Sequence, residues 1–131
     1  MKRFNINLLA VALCVAAAPA VSADFDGSKP LICSTIETHE CAVGTSCERG
    51  LAEDINVPQF IRLDFAAKTM SARGRTSKIQ THAHSAGMLV IQGFENSRAF
   101  SATINEKSGK LVGAVAADEA GYMIFGACTP L

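Results

Sequence analysis

Two histidines two residues apart, His82 and His84 in THAH, are the most specific chemical feature of the sequence. Residues i and i+2 of a strand share a face, so both imidazoles project together and offer two nitrogen ligands to one Zn²⁺ or Cu²⁺ ion. Two ligands do not make a site. His39, Asp64 on a neighbouring strand or a glutamate would have to complete it; otherwise the pair is a solvent-facing strand surface. The second feature is the run KTMSARGRTSK, which carries Lys68, Arg73, Arg75 and Lys78 and no acid in eleven residues. If Arg73-Gly74-Arg75 is a hairpin tip, two guanidiniums flank a flexible glycine. That geometry suits a phosphate, sulfate or carboxylate ligand, or an acidic partner, because guanidinium pairs such groups bidentately. The plainer reading is a charged loop that keeps a sheet edge from pairing with another chain.

The third group is the cysteines of CSTIETHECAVGTSC, namely Cys33, Cys41 and Cys47, with Cys128 near the end of the chain. Structural zinc sites space paired cysteines two to four residues apart, and C-x7-C-x5-C does not fit. No C-x-x-C redox pair is present. An even number of cysteines in a small exported domain reads as disulfides. Four cysteines allow three pairings, and spacing does not choose among them. The pairing favoured here closes a local loop with Cys41–Cys47 and joins the first strand to the last with Cys33–Cys128. On the chain-entropy model the two bridges would be worth about 2.4 and about 4.7 kcal/mol.

Export is read from the N-terminus. Met1, Lys2 and Arg3 begin the chain, Leu8 to Ala18 is apolar, and Val21-Ser22-Ala23 ends in small residues at the positions a signal peptidase reads. A signal peptide over residues 1–23 would take Cys14 with it and leave 108 of the 131 residues, one ordinary domain. Without Lys2 and Arg3, 10 basic residues face 12 acidic ones, which gives no support to non-specific nucleic-acid binding. The apolar run is shorter than the roughly 20 residues a spanning helix needs, and no second one follows, so no membrane span is expected in the mature chain. The location expected is exported, periplasmic for a Gram-negative source and otherwise extracellular.

The elements that must carry these groups are strands. Residues 24–58 read as an irregular disulfide-bearing segment, with a mobile leader from Asp24 to Pro30, a short strand at Leu31 to Ile36 and one helical turn near Glu48 to Asp54. After Pro58 the pattern has period two. QFIRLDF places Ile61, Leu63 and Phe65 on one side, GMLVIQGF reads as a central strand, and SRAFSATI places Phe100, Ala102 and Ile104 together. NEKSG and DEAG are turn signals before KLVGAVAA and YMIFGAC. The fold class expected is all-β: an antiparallel meander over residues 59–131, about six or seven strands in a small barrel or sandwich. Its expected core is Ile61, Leu63, Phe65, Leu89, Ile91, Phe94, Phe100, Ile104, Leu111, Val115, Met123 and Phe125.

PQFIRLDF, LVIQGFENSRAFSATINEKSGKLV and the closing FGAC, behind a cysteine-bearing N-terminal part, resemble a family of small, uncharacterised exported proteobacterial proteins. The resemblance covers most of the mature chain and implies export; it brings no activity and no site residues. A looser likeness to periplasmic lysozyme inhibitors is one of size, disulfides and β-content. No G-x-S-x-G, H-E-x-x-H or glycine-rich phosphate motif occurs. The function expected is therefore a non-enzymatic binding module for an unknown protein or a small anionic ligand, and no cofactor is called for. The alternatives are a zinc- or copper-binding protein using the His-x-His face, and a small hydrolase.

Overall fold

Strands form where the sequence alternates after Pro58, and also through much of what precedes it. The computed structural model describes residues 24–131, so the expected signal peptide lies outside the described residues. Ten strands follow in order: β1 (Leu31–Ala42), β2 (Glu48–Gly50), β3 (Phe60–Asp64), β4 (Thr69–Ala72), β5 (Arg75–Lys78), β6 (Thr81–Ser85), β7 (Met88–Glu95), β8 (Arg98–Asn105), β9 (Lys110–Ala116) and β10 (Ala120–Pro130). No helix occurs among the described residues, and so none long and apolar enough to cross a membrane.

All pairings are antiparallel, in the order β5-β4-β3-β1-β10-β9-β8-β7-β6, with β2 paired to β1 off this path. The two outermost strands, β5 and β6, are consecutive in the chain. Ile79 N donates to Lys68 O, continuing the β4–β5 ladder, and the next amide, Gln80 N, donates to Gln92 O, beginning the β6–β7 ladder, both at 2.9 Å. The chain therefore passes from one edge of the sheet to the other within two residues, and the sheet curls into a half-barrel. Gly93 on β7 permits this approach. A Cβ there would lie 2.8 Å from the Lys78 carbonyl oxygen and 2.5 Å from Phe100 Cζ, closer than van der Waals contact allows.

Three hairpins turn on two residues with positive φ at both: Arg73-Gly74, Ala86-Gly87 and Asn96-Ser97. Such turns match the right-handed twist of the strands they join. Cys33 is bonded to Cys128 and Cys41 to Cys47. The first bridge joins directly opposed residues of β1 and β10, the long strands at the centre of the sheet.

The core lies inside the curl. Leu31, Cys33, Leu63, Phe65, Ile79, Leu89, Ile91, Ile104, Leu111, Ile124 and Cys128 are buried together. Thr38 is also buried, and its hydroxyl donates to Gly50 O at 2.8 Å, so no orphaned polar group results.

Several expectations are corrected. The count is ten strands rather than six or seven. Leu31–Ala42 is one twelve-residue strand, bulged between Thr35 and Glu37, rather than a short strand and an irregular tail. The expected helical turn begins instead as β2, whose Arg49 pairs with His39. SKIQTHAH divides between two strands. The expected mobile leader packs Phe25 against the core. Phe94, Met123 and Phe125 point out, at 66%, 37% and 37% exposed: Phe94 has the opposite parity to Leu89, Ile91 and Gly93, which face in, and β10 runs in the opposite phase, with Ile124 and Cys128 inward.

Candidate functional site

Inward side chains form rows across the barrel, and the rows differ in size. The lowest row sets Leu89 beside Ile104 and Leu111, and all three are buried. One step up, Ile91, Ala102, Gly113 and Ile124 lie side by side on β7 to β10. Ala102 and Gly113 are too small to meet the opposite wall, and a cavity of about 380 Å³ remains. Volumes from about 300 Å³ upward are typical of small-molecule sites. At about 30 Å³ per water, this space equals roughly a dozen of them.

The base of the cavity is apolar. Leu63 and Leu111, 1% and 8% exposed, close it beneath Ile91 and Ile124. Met70, Phe100, Val115 and Tyr122 continue the wall upward. The mouth lies where the β4–β5 and β7–β8 hairpin tips and the Leu51–Pro58 loop approach one another, and it is charged. Arg73, Arg75 and Arg98 line it, with Glu95. Arg75 stands opposite Ala72 and Arg98 opposite Glu95, in the rows that point inward.

These charges are partnered unequally. Ser77 Oγ donates to Glu95 Oε2. Arg73 Nη1 donates to Asn56 Oδ1 at 2.7 Å and its Nη2 to Val57 O at 3.3 Å, tying the hairpin tip to the loop. That loop is itself ordered by Leu51 N donating to Asp54 Oδ2 at 2.8 Å and Val57 N to Ala52 O at 2.8 Å. Arg75 and Arg98 make no ion pair among the described residues.

The basic run is thus divided. Arg73 and Arg75 reach the mouth, as the hairpin-tip reading requires. Lys68 precedes β4 and so lies at its far end from Arg73, and Lys78, opposite Thr69, is at that same far end. Neither lysine lines the cavity. The four do not form one surface, because a four-residue strand separates the two ends of the run.

The three histidines are not brought together. His82 and His84 share the inward side of edge strand β6, opposite Ile91 and Leu89. His82 packs edge-on against Phe65, with ring centroids 5.8 Å apart. His84 Nδ1 donates to Glu106 Oε1 at 2.6 Å. His39 neighbours the buried Thr38 and points to the other face, where its Nε2 donates to Glu37 Oε1 at 2.7 Å and its ring meets Phe125 edge-on. Among the described residues no three His, Cys, Asp or Glu side chains are grouped to hold a metal ion. Glu37 also takes Arg49 Nη2 at 2.6 Å. Its carboxyl is held below the ordinary glutamate value, first by the His39 hydrogen bond and then by the charge of Arg49.

Among the lining residues, the sequence does not single out Arg98, Glu95, Met70, Tyr122, Ala102 or Gly113 as a site. Arg98 is within reach of the sequence pattern: it has the same parity as Phe100, Ala102 and Ile104, which share one face. Compared with protein-family models, with curated proteins and with solved structures, the chain matches none.

Proposed function

We propose that this is a small-molecule binding protein that holds a ligand with an apolar body inside the half-barrel. The observation that carries the reading is the cavity of about 380 Å³, lined by apolar side chains such as Ile91, Leu63 and Ile124 and by the charged Arg73, Arg75, Arg98 and Glu95. Antiparallel sheets curled to about this strand number leave room for one small ligand between opposite walls. Burying an apolar group there gains about 0.8 kcal/mol per methylene. The chain works in an oxidising, exported compartment on this reading, which the two disulfides and the expected signal peptide favour.

The test is titration with the uncharged fluorescent probe N-phenylnaphthylamine, on the native chain and on Ala102→Phe. Ala102 sits midway along the row of small residues, so a phenyl ring there occupies the cavity. One saturable site per chain is expected, lost in a variant that still unfolds cooperatively. Absence of saturable binding, or binding that Ala102→Phe leaves untouched, would contradict the reading.

A further inference from the structure

The mouth of the cavity holds more positive charge than its partners neutralise, and this bears on what the ligand carries at its polar end. Three guanidiniums and one carboxylate line it. Arg73 is occupied by Asn56 and Val57, and Glu95 accepts from Ser77. Arg75 and Arg98 remain, inward-facing, on the two hairpins that flank the opening, and without an ion pair among the described residues. Arg98 stands opposite Glu95 without pairing to it, because Glu95 is engaged by Ser77. Two free guanidinium forks above an apolar chamber match an amphiphile: carboxylate, sulfate or phosphate oxygens meet the forks, and a hydrocarbon body descends toward Ile91 and Ile124.

Resting on the binding reading above, we infer that the ligand is an anion-headed amphiphile and that Arg75 and Arg98 form the head-group clamp. Arg73 is a positioning residue that fixes the loop bordering the opening. The clamp accounts for two exposed arginines standing on the inward rows at the rim of the cavity.

The experiment compares ligands that share one decyl chain and differ in head group: decanoate, decyl phosphate, decan-1-ol and decyltrimethylammonium. Each is titrated calorimetrically, below its micelle-forming concentration, into the native chain, Arg75→Gln/Arg98→Gln and Lys68→Gln. The anions should bind at least about tenfold more tightly than the alcohol, the increment of one charge-assisted hydrogen bond. The double variant should lose that advantage while its affinity for the alcohol stays unchanged. Lys68→Gln, altered at the far end of β4, should match the native chain. The ranking of decanoate and decyl phosphate identifies the head group. Equal binding of alcohol and anion would overturn the clamp and leave the cavity reading intact. Preference for the cationic amphiphile would overturn it in favour of Glu95. If no decyl ligand binds, the cavity reading falls and the clamp with it.

Discussion

Removing the Cys33–Cys128 bridge should cost the protein far more than removing Cys41–Cys47. The first closes a loop across a sequence separation of 95 residues and the second across 6. Loop-closure entropy then assigns about 4.7 kcal/mol to the long bridge and about 2.4 kcal/mol to the short one. Packing widens the gap. Cys33 and Cys128 are 2% and 8% exposed in the middle of the core, whereas Cys47 is exposed beside a loop whose Val43 is 85% exposed. Replacing each pair by alanine therefore leaves a deficit at the first site beyond the entropy. The assay is urea unfolding followed by circular dichroism. With a slope of about 1–3 kcal/mol per M, a gap of about 2 kcal/mol separates the two midpoints by about 0.7–2 M. A Cys33→Ala/Cys128→Ala protein already unfolded in buffer beside a folded Cys41→Ala/Cys47→Ala protein meets the same expectation. Equal midpoints, or a lower one for the short-loop variant, would refute the reasoning that the long bridge anchors the barrel.

Other expectations follow from single contacts. Ile124→Ala should cost about 2–5 kcal/mol and Phe125→Ala less than about 1 kcal/mol, because only the first empties a core position; reversed values from urea unfolding would show that the strand phase is wrong. Gly93→Val should destabilise by about 1–3 kcal/mol, since the new side chain meets the Lys78 carbonyl and the Phe100 ring; an unchanged midpoint would contradict the close approach of β5 and β7. Arg73→Ala should speed amide exchange in the Leu51–Pro58 loop, measured by mass spectrometry, with the strand amides unaffected. Glu37 should titrate below an ordinary glutamate. Its contact with His39 and Arg49 is thus present above that value and is lost as pH falls through the lowered one. An NMR titration in which His39→Ala leaves the Glu37 midpoint unmoved would remove the assigned cause.

The strand content was legible where one face is apolar and the other polar. Ile61, Leu63 and Phe65 alternate with Arg62 and Asp64, and all three pack in or against the core. The phase of β10 was not legible. Tyr122, Met123, Ile124 and Phe125 are all apolar in character, so period two fits either face. Cys128 carries the missing information: a cysteine bridged into the core fixes the even-numbered residues inward. The full length of β1 is not legible because Glu37, Thr38, His39 and Glu40 read as loop, while the bulge between Thr35 and Glu37 shifts the alternation by one. The buried Thr38, with its bond to Gly50 O, is polar for a local reason that no periodicity reveals.

The site was legible in part for the same reason. Arg73-Gly74-Arg75 announces a turn, and the turn delivers both arginines to the mouth. Nothing in the basic run shows that Lys68 and Lys78 belong to the opposite end, because charge counted along the chain ignores the length of β4. Ala102 and Gly113 were invisible as site residues, since small inward side chains make a cavity only when their rows are brought into register across four strands.

The most direct test of the cavity assignment is an isotope-filtered NOE experiment between decanoate and the methyl groups of the native chain. Contacts are expected from the ligand chain to the methyls of Ile91, Ile124 and Met70, and none to the outward methyls of Val112 and Met123. Contacts confined to Val112 and Met123, with the interior methyls silent, would contradict it.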